Sequence, residues 1–89
     1  MTYQVSYTDS FARDLTKLDR QIARRILAFL TERIAGTDDP RQFDQALRGS
    51  ELGDLWRYRL GDWRIIVDIS DDTLTVLAIH AGHRKDIYQ

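Results

Sequence analysis

Apolar and polar residues alternate strictly over residues 2–7, and this period of two predicts a β-strand. The side chains that share its apolar face are Tyr3, Val5 and Tyr7. Capping oxygens at residues 8–10 then precede apolar residues at helical spacing, which predict a helix over about residues 9–18. A second apolar stripe at helical spacing predicts another helix, which ends before Gly36. Its members are Ile22, Ile26, Leu27, Leu30 and Ile34. Two helices with so short a connection form an αα-hairpin, which must cover an apolar surface.

Residues 55–68 predict two strands joined by a tight turn at Gly61-Asp62. With a two-residue turn, Leu60 lies opposite Trp63 and Arg59 lies opposite Arg64, so one face is apolar and the other is cationic. The arginines on the cationic face are Arg57, Arg59 and Arg64. Like charges directly opposed in a sheet are destabilising, so a functional explanation stands equally beside the structural one, in which the arginines extend into solvent.

The remaining residues complete an α+β fold. Residues 40–47 predict a short third helix that begins at Pro40, and residues 47–51 predict a loop. A second turn follows at residues 70–73, and residues 74–81 predict the last strand. The order β-α-α-(short α)-β-β-β predicts a mostly antiparallel four-stranded sheet with the N-terminal helical hairpin on one face, in a single domain over residues 1–89.

The predicted turn at residues 70–73 fixes the pairing of the last two strands. If Ser70 lies opposite Thr73, Trp63 lies opposite His80 and Arg64 lies opposite Ile79. In the same register Val67 lies opposite Val76 and Ile65 opposite Ala78. The continuation of the strand would then turn Ala81 and His83 toward the arginine side.

Composition excludes several classes of protein. The chain of 89 residues has no cysteine and a net charge of −1, with basic residues concentrated only in local patches. It shows neither a signal peptide nor a long apolar segment, so we expect a cytoplasmic protein that does not contact a membrane. Glycine-rich phosphate loops, HExxH and GxSxG are absent from the sequence. His80 and His83 have no third ligand at suitable spacing, so we expect no metal and no cofactor, and a structural role for His80.

The residue types that remain suit phosphate chemistry. Arginine presents a fixed fork of donors to phosphate and stays charged, whereas histidine and tyrosine can move protons. Several arginines around one phosphate stabilise the extra negative charge of a pentavalent transition state. This combination favours RNA cleavage in which a 2′-hydroxyl attacks its own phosphate. The candidate residues are Arg57, Arg59, Arg64, His83, Arg84 and Tyr88.

The sequence resembles RelE-type toxins of the RelE/ParE superfamily over essentially its whole length. The resemblance rests on the order of the elements and on four stretches that follow one another at the family's spacing. These are Leu47-Arg48-Gly49, Trp56-Arg57-Tyr58-Arg59-Leu60, Gly61-Asp62-Trp63-Arg64-Ile65-Ile66 and Gly82-His83-Arg84-Lys85-Asp86-Ile87-Tyr88.

The resemblance implies a type II toxin that cleaves messenger RNA in the ribosomal A site, without a metal, and leaves a 2′,3′-cyclic phosphate. It also implies a RelB-like antitoxin encoded by a neighbouring frame, and operator DNA bound only through the toxin–antitoxin complex. The family's working residues correspond to Arg57, Arg59, Arg64, Arg84 and Tyr88 in this chain. With His83 added, we expect catalytic roles for Arg59, Arg64, His83, Arg84 and Tyr88. The residues expected to bind RNA phosphates are Arg57 and Lys85.

Two departures from the RelE pattern leave questions open. RelE has lysines where this chain has Arg57 and Arg59, and arginine is a poor proton acceptor, so His83 or Tyr88 would share the role of general base. Ribosome-dependent members are also strongly basic, which this chain is not. A compensating patch on the second helix would then contact ribosomal RNA, through Arg20, Arg24 and Arg25.

Two other functions fit the same sequence. A ParE-type toxin shares the fold but inhibits DNA gyrase by binding, without RNA chemistry. A toxin homologue that has lost its activity would serve only as an RNA- or protein-binding module.

Overall fold

The computed structural model describes residues 2–46 and 55–87, whose strands form one five-stranded sheet. The elements are β1 (Gln4–Tyr7), α1 (Asp9–Thr16), α2 (Arg20–Phe29), β2 (Asp44–Ala46), β3 (Leu55–Leu60), β4 (Trp63–Ser70), β5 (Thr75–His83) and α3 (Arg84–Ile87). A π-helical turn, Leu30–Ile34, prolongs α2, and a 3-10 turn, Pro40–Phe43, precedes β2. The strand order is β1-β5-β4-β3-β2, with β1 parallel to β5 and the other neighbours antiparallel. The predicted α+β class is confirmed, and the sheet is mixed because of β1.

Both predicted helices begin at polar caps. The Thr8 hydroxyl oxygen accepts a hydrogen bond from the Phe11 amide, and the Asp19 carboxylate accepts one from the Gln21 amide. The end of the second helix is also as predicted, because Gly36 has a φ of +85°, which suits glycine at the C′ position.

The helices cover one face of the sheet and bury it. The buried side chains of this core are Phe11, Ile26, Leu30, Ile34, Tyr58, Ile65, Val67, Ile69, Val76, Ala78 and Ala81. The predicted apolar stripe of the second helix is therefore largely correct, although Leu27 is 37% exposed. The arginine face of the hairpin lies on the other side of the sheet, so the arginine side chains do not belong to this core.

The prediction of a third helix over residues 40–47 is wrong beyond Phe43. One 3-10 turn forms at Pro40–Phe43, and Asp44–Ala46 then pairs antiparallel with Trp56–Tyr58 as the edge strand β2. The Tyr58 hydroxyl donates to the Pro40 carbonyl at 2.9 Å and fixes the start of this segment. Pairing with a distant strand decides the conformation here, and local periodicity does not reveal such pairing. The predicted loop at residues 47–51 lies outside the described residues.

The predicted hairpin is confirmed residue by residue. Leu60 lies opposite Trp63, Arg59 opposite Arg64 and Tyr58 opposite Ile65. Gly61 has a φ of +63°, the positive value expected at the first position of this turn.

The predicted pairing of the last two strands is wrong. Ser70 lies opposite Thr75, because the turn spans residues 71–74 and ends at Leu74 with a φ of +50°. The ladder then shifts at a β-bulge: Val67 lies opposite Ala78 but Ile66 lies opposite His80, so Ile79 is an extra residue. As a result Ala81 pairs with Ile65, Gly82 with Arg64, and His83 with Trp63.

Polar side chains of α1 and of its N-cap residue contact the backbone groups around the bulge. The Thr8 hydroxyl lies 3.1 Å from the carbonyl oxygens of both Ala78 and Ile79, and the Ser10 hydroxyl donates to Ile79 at 3.1 Å. The Asp14 carboxylate accepts a hydrogen bond from the Ala81 amide at 3.1 Å and lies 2.9 Å from the Nδ1 atom of His80. The His80 side chain is 49% exposed and lies opposite Ile66, so the prediction that it lies on the core face opposite Trp63 is wrong, and its partner is an aspartate on α1.

We expect Asp14→Ala to destabilise the fold by about 1–3 kcal/mol, because the half-buried Ala81 amide loses its acceptor. Urea unfolding of both proteins measures the difference. The neighbouring exposed residue provides a control, since Arg13→Ala should change the free energy of unfolding by less than about 0.5 kcal/mol. Equal effects of the two substitutions would show that Asp14 does not support the bulge.

A network of hydrogen bonds and an ion pair links the β4–β5 turn to the segments that precede the two edge strands, β1 and β2. Asp71 accepts hydrogen bonds from Arg41 at 3.0 and 3.2 Å, and from the Tyr3 hydroxyl at 2.6 Å. The Arg41 guanidinium also lies 5.3 Å from the ring centre of Trp56. The hydrogen bond from Arg41, followed by that from Tyr3, holds the pKa of Asp71 below its usual value.

This network makes stability depend on pH in a defined direction. Because the pKa of Asp71 is lower in the folded state, its contribution is complete above the unfolded value of about 4 and is lost as pH falls through the folded value. The difference in unfolding free energy between the wild type and Asp71→Asn should therefore shrink between about pH 5 and pH 2. Urea unfolding at stepped pH measures it, with Asp72→Asn as the control. A difference that stays constant to pH 2 would contradict this assignment.

Candidate functional site

The hairpin places three arginines on the face opposite the core. Arg57 and Arg59 project from β3, and Arg64 projects from β4 directly across from Arg59. Arg59 is exposed, whereas Arg57 and Arg64 are half-buried. The buried side chain of Ile66 shares this face and lies opposite Arg57, so an apolar side chain lies among the arginines.

Arg64 is folded back over the hairpin turn. Its Nη1 atom donates hydrogen bonds to the carbonyl oxygens of Gly61 at 2.8 Å and Trp63 at 2.9 Å. Desolvation, followed by the charges of Arg59, Arg57 and Arg84, lowers the pKa of Arg64 from its usual value. A guanidinium remains charged even so, and the repulsion therefore persists in the folded protein. An anion bound among these groups would relieve it.

A fourth arginine reaches the same end of the sheet from the C-terminal segment. The Arg84 amide donates to the Asp62 carbonyl at 2.8 Å, which fastens the first residue of α3 to the hairpin turn. The Arg84 Nε atom also lies 3.9 Å from the Asp62 carboxylate, and both side chains are more than half exposed. We call this group of four the arginine cluster. Its members are Arg57, Arg59, Arg64 and Arg84.

His83 lies beside the arginine cluster, on the other face of the sheet. It pairs with Trp63, and the two rings meet edge to face with their centres 5.2 Å apart. Its Nδ1 atom accepts a hydrogen bond from the Lys85 amide at 3.1 Å. The prediction that Ala81 and His83 point to the arginine side is therefore wrong, because the bulge at Ile79 changes the register.

The two remaining C-terminal candidates differ in what the structure shows of them. Lys85 is exposed on α3, next to Arg84. Tyr88 lies outside the described residues, so its role stays a prediction.

One of the three predicted contacts on α2 lies close to the hairpin. The Arg25 Nη2 atom is 3.8 Å from the point that a Cβ on Gly61 would occupy. Arg25 and Arg59 line a groove of about 450 Å³ between α2 and the end of β3. The other residues that line it are Phe29, Glu32, Arg33 and Leu60. Arg20 and Arg24 are exposed on the same helix.

Sequence reasoning missed two features of this region. Arg33 joins the groove, and its spacing of four and eight residues from Phe29 and Arg25 is a helical signal for a shared face. Asp62 is more than a turn residue, because its carbonyl and carboxylate both face Arg84. No sequence pattern reveals that contact, which depends on the register of β5.

Residues 2–46 and 55–87 contain no helix that is long and apolar enough to cross a membrane. The same residues contain no group of three or more histidine, cysteine, aspartate or glutamate side chains placed to hold a metal ion.

Comparison with known proteins identifies the family. A family model described as the ParE toxin of the type II toxin–antitoxin system parDE matches residues 5–88. Toxin RelG of Mycobacterium tuberculosis is 32% identical over 89 residues, which cover 100% of this chain and 99% of RelG. Toxin RelE of the same organism is 31% identical over 87 residues, which cover 98% of this chain and 87% of RelE.

A solved structure agrees with these relatives. A chain of the toxin–antitoxin complex RelBE2 from Mycobacterium tuberculosis superimposes with a TM-score of 0.83 at 28% identity, covering 94% of this chain and 100% of that one. Fold, family model and curated relatives therefore agree. The chain belongs to the RelE/ParE superfamily and is the toxin component of a type II toxin–antitoxin system.

Proposed function

We propose that this toxin is a ribosome-dependent endoribonuclease that cleaves messenger RNA in the A site and thereby stops translation and growth. The observation that carries the proposal is the arginine cluster, in which the charges of Arg57, Arg59 and Arg84 all act on Arg64. Four cations that converge from β3, β4 and α3 form a surface suited to a phosphodiester. The relatives named RelG and RelE support this function.

The proposed reaction needs no residue to form a covalent bond with RNA. The 2′-hydroxyl oxygen attacks the adjacent phosphorus, the bond to the 5′-oxygen breaks, and the products end in a 2′,3′-cyclic phosphate and a 5′-hydroxyl. The arginine cluster stabilises the negative charge that the phosphorane gains. A general base takes the 2′-hydroxyl proton and a general acid protonates the leaving 5′-oxygen. Arginine does not serve as the base, because its guanidinium stays protonated, so His83 and Tyr88 are the candidates from the sequence.

The proposal also includes an antitoxin. The similar structure RelBE2 is a toxin–antitoxin complex, and we propose a RelB-like partner for this chain. An antitoxin segment that places carboxylates on the arginine cluster would block RNA and relieve the repulsion around Arg64 at once. Operator DNA would bind through that complex, and a toxin that cleaves messenger RNA on ribosomes would act in the cytoplasm.

One observation favours a second function. The family model that matches is described as the ParE toxin, and the gyrase-directed alternative from the sequence agrees with that description. In that function the arginine cluster would contact a protein surface instead of RNA, and no phosphodiester of messenger RNA would break.

Induced expression should arrest growth and cut transcripts within codons on ribosomes. Arg64→Ala and Arg84→Ala should each lower the rate of cleavage by about a hundredfold or more, because each removes a cation that stabilises the negative charge of the developing phosphorane. Mapping of RNA 5′ ends after induction measures the cuts. Arg13→Ala removes an exposed charge on α1 and should cleave like the wild type. Intact transcripts together with double-strand DNA breaks would contradict RNA cleavage and support the gyrase-directed function.

Phosphate binding can be tested without the ribosome. Arg59→Ala removes the cation opposite Arg64 and should leave the fold as stable or stabilise it by up to about 1 kcal/mol in low salt. Inorganic phosphate should raise the melting temperature of the wild type more than that of Arg59→Ala. Differential scanning calorimetry measures both effects, with Arg13→Ala as the charge-matched control. An equal phosphate effect on all three proteins would exclude a phosphate site at Arg59.

A further inference from the structure

We infer that His83 is a positioning residue of the proposed nuclease and is not its general base. His83 caps the N-terminus of α3 and thereby holds Arg84 and Lys85 at the site. This inference rests on the proposed function. The observation behind it is the hydrogen bond of 3.1 Å from the Lys85 amide to the His83 Nδ1 atom. His83 directly precedes Arg84, the first residue of α3, so it occupies the N-cap position and accepts from the second residue of the turn.

The cap fixes where the imidazole proton lies. A backbone amide can only donate, so Nδ1 must accept and therefore carries no hydrogen. A doubly protonated ring could not make this bond. The ring is thus neutral, with its hydrogen on Nε2, when the cap is formed.

Neighbouring contacts hold the ring and the turn in this arrangement. The indole of Trp63 meets the imidazole edge to face at 5.2 Å and limits its rotation. The Asp62 carbonyl accepts from the Arg84 amide at 2.8 Å, immediately before the amide that His83 caps. Two successive amides are therefore fixed, and with them the backbone position from which the Arg84 side chain joins the other arginines of the cluster.

The same arrangement leaves His83 poorly suited to accept a proton from the 2′-hydroxyl. Its lone pair on Nδ1 is already used by Lys85, and its Nε2 atom already carries hydrogen. A proton on Nδ1 would break the cap and remove one of the two hydrogen bonds that hold the start of α3 during the reaction. The role of base therefore passes to a group other than His83.

The tautomer provides a direct test, because the chain contains only two histidines. His80 contacts the Asp14 carboxylate through Nδ1 at 2.9 Å, so its Nδ1 atom donates and carries hydrogen. Long-range proton–nitrogen NMR of the full chain near neutral pH should show an unprotonated Nδ1 for His83 and a protonated Nδ1 for His80. A protonated Nδ1 on His83 would overturn the inference. This result does not depend on whether the protein cleaves RNA.

Isosteric variants test the positioning role in single-turnover cleavage on programmed ribosomes. The amide oxygen of His83→Asn can replace Nδ1 as the cap, and asparagine is a preferred N-cap residue, so this variant should stay within about threefold of the wild type. His83→Ala lacks the cap and should lose at least about tenfold, because Arg84 is no longer held. His83→Gln places its amide near the position of Nε2 instead of Nδ1 and should resemble His83→Ala.

The possible outcomes separate the explanations. Losses of about 10²–10⁴ in both His83→Asn and His83→Ala would show that His83 itself transfers a proton and would overturn the inference. Full activity in all three variants would show that the cap is not needed and would also overturn it. Hydrogen exchange of the Lys85 amide, faster in His83→Ala than in His83→Asn, shows whether the cap itself was changed. Absence of cleavage by the wild type would contradict the proposed function alone, since the NMR result still tests the cap.

Discussion

Electrostatic repulsion between Arg59 and Arg64 is the constraint around which this protein is organised. Directly opposed like charges destabilise a hairpin, and the fold keeps them because the other face of the same strands carries the buried core. Tyr58 and Ile65 lie opposite each other on that face and fix the register that brings the arginines together. Hydrogen bonds from Arg64 to the carbonyls of Gly61 and Trp63 offset part of the free energy of this repulsion. We propose that this arrangement prepares the site for an anion, which would relieve the repulsion.

The β-bulge at Ile79 connects this constraint to the C-terminal segment. Without the extra residue, His80 would lie opposite Ile65 in the core, and Gly82 would take the place of His83 beside Trp63. With it, Ala81 enters the core and the chain reaches the hairpin turn with Arg84 against Asp62. Asp14 accepts a hydrogen bond from the Ala81 amide and contacts His80, so it helps to hold the bulge and thereby supports the position of Arg84 indirectly.

The sequence predicts the fold class and the first hairpin because both follow from local patterns. Gly61 marks a two-residue turn, and alternation on both sides of it leaves one register possible. Pairing of Asp44–Ala46 with Trp56–Tyr58 could not be predicted, because it depends on contacts distant in sequence. The register of β5 was missed for a related reason: the long turn ending at Leu74 and the extra Ile79 leave no mark in the hydrophobic pattern. The arginines could therefore be grouped from sequence, whereas the cap at His83 and the contact of Asp62 required the structure.

The most direct test of a nuclease built on the arginine cluster is the chemistry of the RNA ends that it produces. Purified toxin, incubated with ribosomes that hold a defined messenger RNA, should yield one cut in the A-site codon. Mass spectrometry of the fragments should find a 2′,3′-cyclic phosphate on one and a 5′-hydroxyl on the other. Messenger RNA that remains intact, or fragments that end in a 3′-hydroxyl and a 5′-phosphate, would contradict the account.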